Sequence, residues 1–151
     1  MSSLHIDLPD TWIDISAENS EGPPTFVRDT SGEKGVLQIS LQAEYWGGEV
    51  PNPTYPDLEQ LAASIAGAEG GTIIGGQSSG DCTFGTYGSA TASIDGGETR
   101  LQVWVLCNSR DFVLATLVTG PQPDADEFDE AEAIVKLVAL RPDSRPWWKL
   151  W

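Results

Sequence analysis

Apolar and polar positions are patterned most densely between residues 100 and 119. Two apolar runs, residues 101–107 and 112–118, flank the polar group Asn108, Ser109, Arg110 and Asp111. Val, Leu, Phe and Trp dominate both runs, and such side chains suit a pleated, buried surface. A period of two puts Leu101, Val103, Val105 and Cys107 on one face and Trp104 and Leu106 on the other. In the second run Phe112, Leu114 and Val118 share a face, and Val113, Ala115 and Leu117 share its opposite. Both faces of the implied hairpin are apolar. The pattern therefore predicts a central hairpin covered on both sides.

The remaining pattern supplies the cover. Residues 4–8, 12–15 and 26–28 read as short strands. Residues 36–43 alternate, with Leu37, Ile39, Leu41 and Ala43 inward and Gln38, Ser40 and Gln42 outward. Residues 45–56 read as a loop holding Trp46, two glycines and three prolines. Asp57 and Gln60 have capping-box spacing, Leu58, Leu61, Ala62 and Ile65 form one helical face, and Gly67 is the expected terminator. Residues 68–80 are glycine-rich around Ile73 and Ile74, and predict a weak strand or a loop. Residues 82–94 read as one long strand whose small positions, Gly88, Ala90 and Ala92, imply a close neighbour. Asp124 and Glu127 open a second helix with the stripe Phe128, Ala131, Ile134, Val135 and Val138, ending before Arg141. The expected fold class is α+β, with a twisted, mainly antiparallel sheet and helices packed on it. Residues 1–142 are read as one domain and 143–151 as a Trp-rich tail.

Leu8, Pro9, Asp10, Thr11 and Trp12 resemble the Leu-Pro-x-x-Trp opening of many PsbP-like proteins. Phe112 to Thr116, and Ala131 to Val135, look like that fold's closing strand and helix. The resemblance spans most of residues 4–140. The fold is shared by the extrinsic protein of photosystem II, Ran-binding nuclear import factors and small bacterial proteins, including effector-associated chaperones of type VI secretion. The resemblance implies an α/β/α sandwich, in agreement with the two-faced hairpin. It carries no catalytic residues, since binding proteins dominate the group.

Charge narrows the partners. Asp and Glu number 23 against 8 Lys and Arg, a net charge of -15. That field disfavours nucleic acid and anionic membranes and favours basic partners. Cys82 and Cys107 fall outside any Cys-x-x-Cys, and free buried thiols are expected, with pairing left open. The N-terminus lacks the charged and apolar regions of a signal peptide, and no apolar run has spanning length. A cytoplasmic location is the resulting expectation.

Candidate chemistry is sparse. His5, the one histidine, has Asp7 two residues along its strand, and an exposed strand histidine is the simpler reading. Gly76-Gln77-Ser78-Ser79-Gly80 spells a nucleophile elbow, but no helix pattern follows it, so a flexible loop is expected. Asp124, Asp126 and Asp129 have cation-ligand spacing that helix capping also explains. Cys107 lacks a basic neighbour that would activate it. No catalytic residue, metal or cofactor is assigned.

Large aromatics beside Gly or Pro are the least ordinary feature, and Tyr45, Trp46, Trp147, Trp148 and Trp151 are the expected partner-binding residues. The expected function is a non-catalytic, acidic protein-binding module, an immunity-type inhibitor or a secretion chaperone or adaptor. Its partner would be another protein, basic or with exposed apolar segments, with a homodimer as a further possibility; neither nucleic acid nor membrane is expected. A hydrolase using the Ser78/Ser79 loop and a structural subunit of a larger assembly are the alternatives.

Overall fold

The computed structural model describes residues 3–6, 8–15, 24–28, 35–42, 55–68, 70–94, 97–108, 112–120 and 125–141. In chain order these form β1 (Ser3–His5), β2 (Trp12–Asp14), β3 (Thr25–Arg28), β4 (Val36–Gln42), α1 (Tyr55–Ala68), β5 (Thr72–Asp81), β6 (Thr86–Ile94), β7 (Thr99–Cys107), β8 (Phe112–Thr119), α2 (Ala125–Lys136) and β9 (Ala139–Arg141). Seven strands make one sheet in the order β2-β3-β4-β8-β7-β6-β5, and β1 pairs separately with β9. Every pairing among the described residues is antiparallel.

The central hairpin is β7 and β8, in register from Arg100↔Thr119 to Cys107↔Phe112. Its alternation divides the core in two. Trp104, Leu106, Val113, Ala115 and Leu117 join Leu37 and Ile39 beneath Ala131, Ile134 and Val135 of α2. Leu101, Val103, Val105, Cys107 and Phe112 join Ala90 and Ala92 beneath Leu58, Ala62 and Ala66 of α1. The result is the three-layer α+β arrangement, with one helix on each face of an antiparallel sheet. Trp104 is fully buried and packs tilted against Phe128, ring centroids 5.9 Å apart. Its Nε1 has no hydrogen-bond partner among the described residues.

The Leu-Pro-x-x-Trp segment has a clear mechanical role. Trp12 is buried, and its Nε1 donates to Glu130 Oε1 at 3.3 Å. Thr11 donates to the same oxygen at 2.8 Å, and Arg28 pairs with Glu130 Oε2 at 2.7 Å. One carboxylate of α2 thereby anchors two strands at the far edge of the sheet.

Several expectations need correction. Residues 72–81 form a ten-residue strand with irregular pairing, so of the two readings left open the strand holds and the loop does not. Its glycines lie where the pairing with β6 shifts register, between Ile73 and Gly75 and between Gly75 and Ser78, so bulges absorb a sequence with poor strand propensity. The long strand expected from residue 82 begins at Thr86, because Cys82 and Gly85 exchange backbone hydrogen bonds in a turn. Asp57 lies inside the first turn of α1, not at its cap, and Gly67 is still helical. The helix ends instead at Gly70, with φ of 87°. Gly70 N donates to Gly67 O and Gly71 N to Ala66 O, the paired bonds of a Schellman cap. Glu127, read as a capping residue, is buried and accepts from Gly35 N at 3.0 Å. The short strand β9 had no counterpart in the sequence pattern. Asp124 lies outside the described residues.

Candidate binding surface

Helix α1 packs against β5, β6 and β7. It is held over β5 by Ser79 Oγ donating to Glu59 Oε2 at 2.6 Å and Tyr55 Oη donating to Asp81 Oδ1 at 2.7 Å. Close approach is possible because β6 presents Gly88, where a Cβ would run into the backbone of Leu58 and Glu59. The helix is therefore drawn toward the β5 edge. The same face of β8 and β4 is left with less cover.

A groove of about 290 Å³ opens there, lined by Gln38, Ser40, Ile65, Ile94, Leu101, Leu114, Thr116 and Val118. Cross-strand register arranges its floor in rows. Val36 faces Val118, Gln38 faces Thr116, and Ser40 faces Leu114. Val118 is 41% exposed and Val36 36%, whereas Val103 and Val105, on the same face under α1, are fully buried. The expectation that both faces of the hairpin are covered thus holds on β7 and at Phe112 of β8, and fails at Val118, where the cover ends. Among the described residues no charged side chain lines the groove. It offers an apolar floor with amide and hydroxyl groups, suited to holding a polypeptide or another amphipathic surface.

The partner-binding residues expected from the sequence, Tyr45, Trp46, Trp147, Trp148 and Trp151, lie outside the described residues. So do Asp7 and the side chain of His5, whose backbone pairs with Ala139. Ser78 and Ser79 sit within β5, not in a loop, so there is no strand-to-helix elbow. Ser78 Oγ is 2.7 Å from Ser89 Oγ, and Ser79 is committed to Glu59. Cys82 and Cys107 are not joined in a disulfide. Burial pushes the Cys82 thiol above its ordinary value. Asp126 and Asp129 are exposed on α2, and the described residues hold no group of three His, Cys, Asp or Glu placed for a metal. No helix among them is long and apolar enough to cross a membrane.

Val36, Leu114 and Val118, on this open face, are not singled out by the sequence pattern. The available signal was the company they keep. Gln38, Ser40 and Thr116 alternate with them on the same face, a mixture that a covered core seldom contains.

No family model matches the sequence, and no curated protein matches it. Solved structures do match in fold. LpqN of Mycobacterium tuberculosis, described as involved in cell envelope biogenesis, is similar at 12% identity and a TM-score of 0.56, over 94% of this chain and 85% of LpqN. A protein from Bacteroides thetaiotaomicron is similar at 14% identity and a TM-score of 0.52; the match covers 95% of this chain and 47% of that protein. The cyanobacterial PsbP of Synechocystis is similar at 15% identity and a TM-score of 0.49, over 93% of this chain and 92% of it. At these identities the likeness to LpqN and to the Bacteroides protein is one of fold alone.

Proposed function

We propose that this chain is a non-catalytic protein-binding module, and that the open face of β4 and β8 receives a cationic segment of another protein that carries apolar side chains. The observation that carries this reading is the uncharged apolar groove left on central strands of a chain whose net charge is -15. The acidic body attracts and orients a basic partner, while the groove supplies apolar contact. A second copy of the chain would bring the same negative charge, which disfavours a homodimer through this face. An immunity-type inhibitor and a secretion chaperone or adaptor are the concrete forms this module would take. A hydrolase is the weaker reading, since Ser78 and Ser79 bond to Ser89 and Glu59 within a strand-and-helix framework.

The test uses a labelled extended peptide of alternating lysine and leucine, followed by fluorescence anisotropy across a salt series. Saturable binding that weakens about tenfold in Val118→Lys and in Leu114→Lys supports the proposal. Binding that vanishes with salt and ignores both substitutions would reduce it to attraction by the acidic surface, and would overturn it.

A further inference from the structure

The opposite face of the sheet holds a second opening. A cavity of about 310 Å³ lies between the sheet and α2, lined by Thr91, Arg100, Gln102, Leu117, Thr119, Phe128 and Asp129. Register explains the arrangement. Thr91, Gln102 and Leu117 form one row across β6, β7 and β8, and Arg100 and Thr119 form the next. Phe128 and Asp129 of α2 make the wall.

Gln102, Arg100 and Asp129 are its amide and charged lining groups. Gln102 is 4% exposed, and its Oε1 accepts from Thr91 Oγ1. Its Nε2 carries the N–H donors of an amide that lines the cavity. Arg100 makes no ion pair among the described residues, although Arg28 and Lys136 pair with Glu130 and Glu132. Asp129 shares the cavity lining with Arg100, yet the two form no salt bridge. A guanidinium, an amide and a carboxylate therefore line a small space together with Leu117 and Phe128, with Arg100 and Asp129 on its exposed side.

We infer that this cavity binds a small apolar zwitterion of the α-amino acid class. Arg100 and Gln102 would take its carboxylate, Asp129 its ammonium, and Leu117 and Phe128 its side chain. A guanidinium with amide donors suits a carboxylate. Zero net charge matters because a simple anion would be repelled by a body of charge -15. The volume falls at the lower end of ligand pockets, roughly 300–1,000 Å³, which favours a small molecule.

Calorimetric titration of the full chain with L-phenylalanine and L-leucine tests this, beside phenylacetate, which lacks the ammonium, and 2-phenylethylamine, which lacks the carboxylate. The expected result is saturable one-to-one binding of the amino acids and about tenfold weaker binding of either truncated analogue. Arg100→Gln and Asp129→Asn should each weaken the amino acids about tenfold, with folding checked by circular dichroism. Should Arg100→Gln fail to fold, Arg100→Lys replaces it. Absence of saturable heat up to about 10 mM overturns the proposal, as does affinity that ignores both substitutions or equals that for phenylacetate.

Discussion

Gly88 shows how one side chain sets a layer. A methyl group there would meet the backbone of Leu58 and Glu59, which has no rotamer with which to yield. Gly88→Ala should destabilise by about 1–3 kcal/mol, as overpacking does, and lower the urea midpoint without changing the slope. An unchanged midpoint would mean that α1 moves freely. This contact was legible in part, because the run of Gly88, Ala90 and Ala92 implied a close neighbour. Three titrating residues share one sign. Tyr55 is raised by its hydrogen bond to Asp81, Cys82 by burial, and Lys136 by its bond to Glu132. Each therefore holds its proton more tightly in the folded chain. Stability is at its full value below the ordinary Cys value of 9.0 and falls as pH rises through the folded values. Thermal melts across the alkaline range should show a declining midpoint, and Lys136→Met should shallow the decline. A flat or rising profile would refute the assignment.

At the scale of elements, β5 and the end of α1 were the hardest to read. The glycines of residues 70–80 look like loop, since they have no side chains to pack on a pleat. What makes them a strand is pairing along β6 and the ties from Glu59 and Tyr55, none of which is visible in local composition. Helix α1 was identified by its stripe, but its terminator was misplaced, because Gly67 fits the sequence rule and Gly70 satisfies the backbone. Gly70 has open space around the position of a Cβ, so only its conformation resists substitution. Gly70→Ala should therefore cost about 1–2 kcal/mol, and Gly67→Ala, with equally open space and helical backbone, should be neutral or stabilising. Equal effects in urea unfolding would place the cap elsewhere.

At the scale of the whole molecule, the layers were legible and the uneven cover was not. The two-faced hairpin called for helices on both sides, and both are there. How far a helix lies along the sheet depends on where the backbone can approach closely, and the alternation of Phe112, Leu114 and Val118 cannot show that. The difference is measurable. Leu106, fully buried beneath α2, should cost about 2–5 kcal/mol when changed to Ala. Leu114 borders the groove and is half-buried, so Leu114→Ala should cost less, about 1–2 kcal/mol. Equal losses would mean the groove is closed.

The join between β4 and β8 has a kinetic consequence. β5 to β8 follow one another as hairpins, and so do β2 to β4, but the two meanders meet only along Val36↔Val118 to Gln42↔Phe112. That seam closes the longest loop in the sheet, and loop closure must precede its contacts. The hairpins of β6, β7 and β8 should therefore assemble first, with the β2–β4 meander docking afterwards. In stopped-flow urea experiments Val105→Ala should chiefly slow refolding, and Ile39→Val should chiefly speed unfolding. The reverse pattern would place the seam in the folding nucleus. If the seam is late, it is also the first to part. The strands that line the groove would then be those that open before global unfolding, and an incoming segment bound there would slow the chain's escape from its native state.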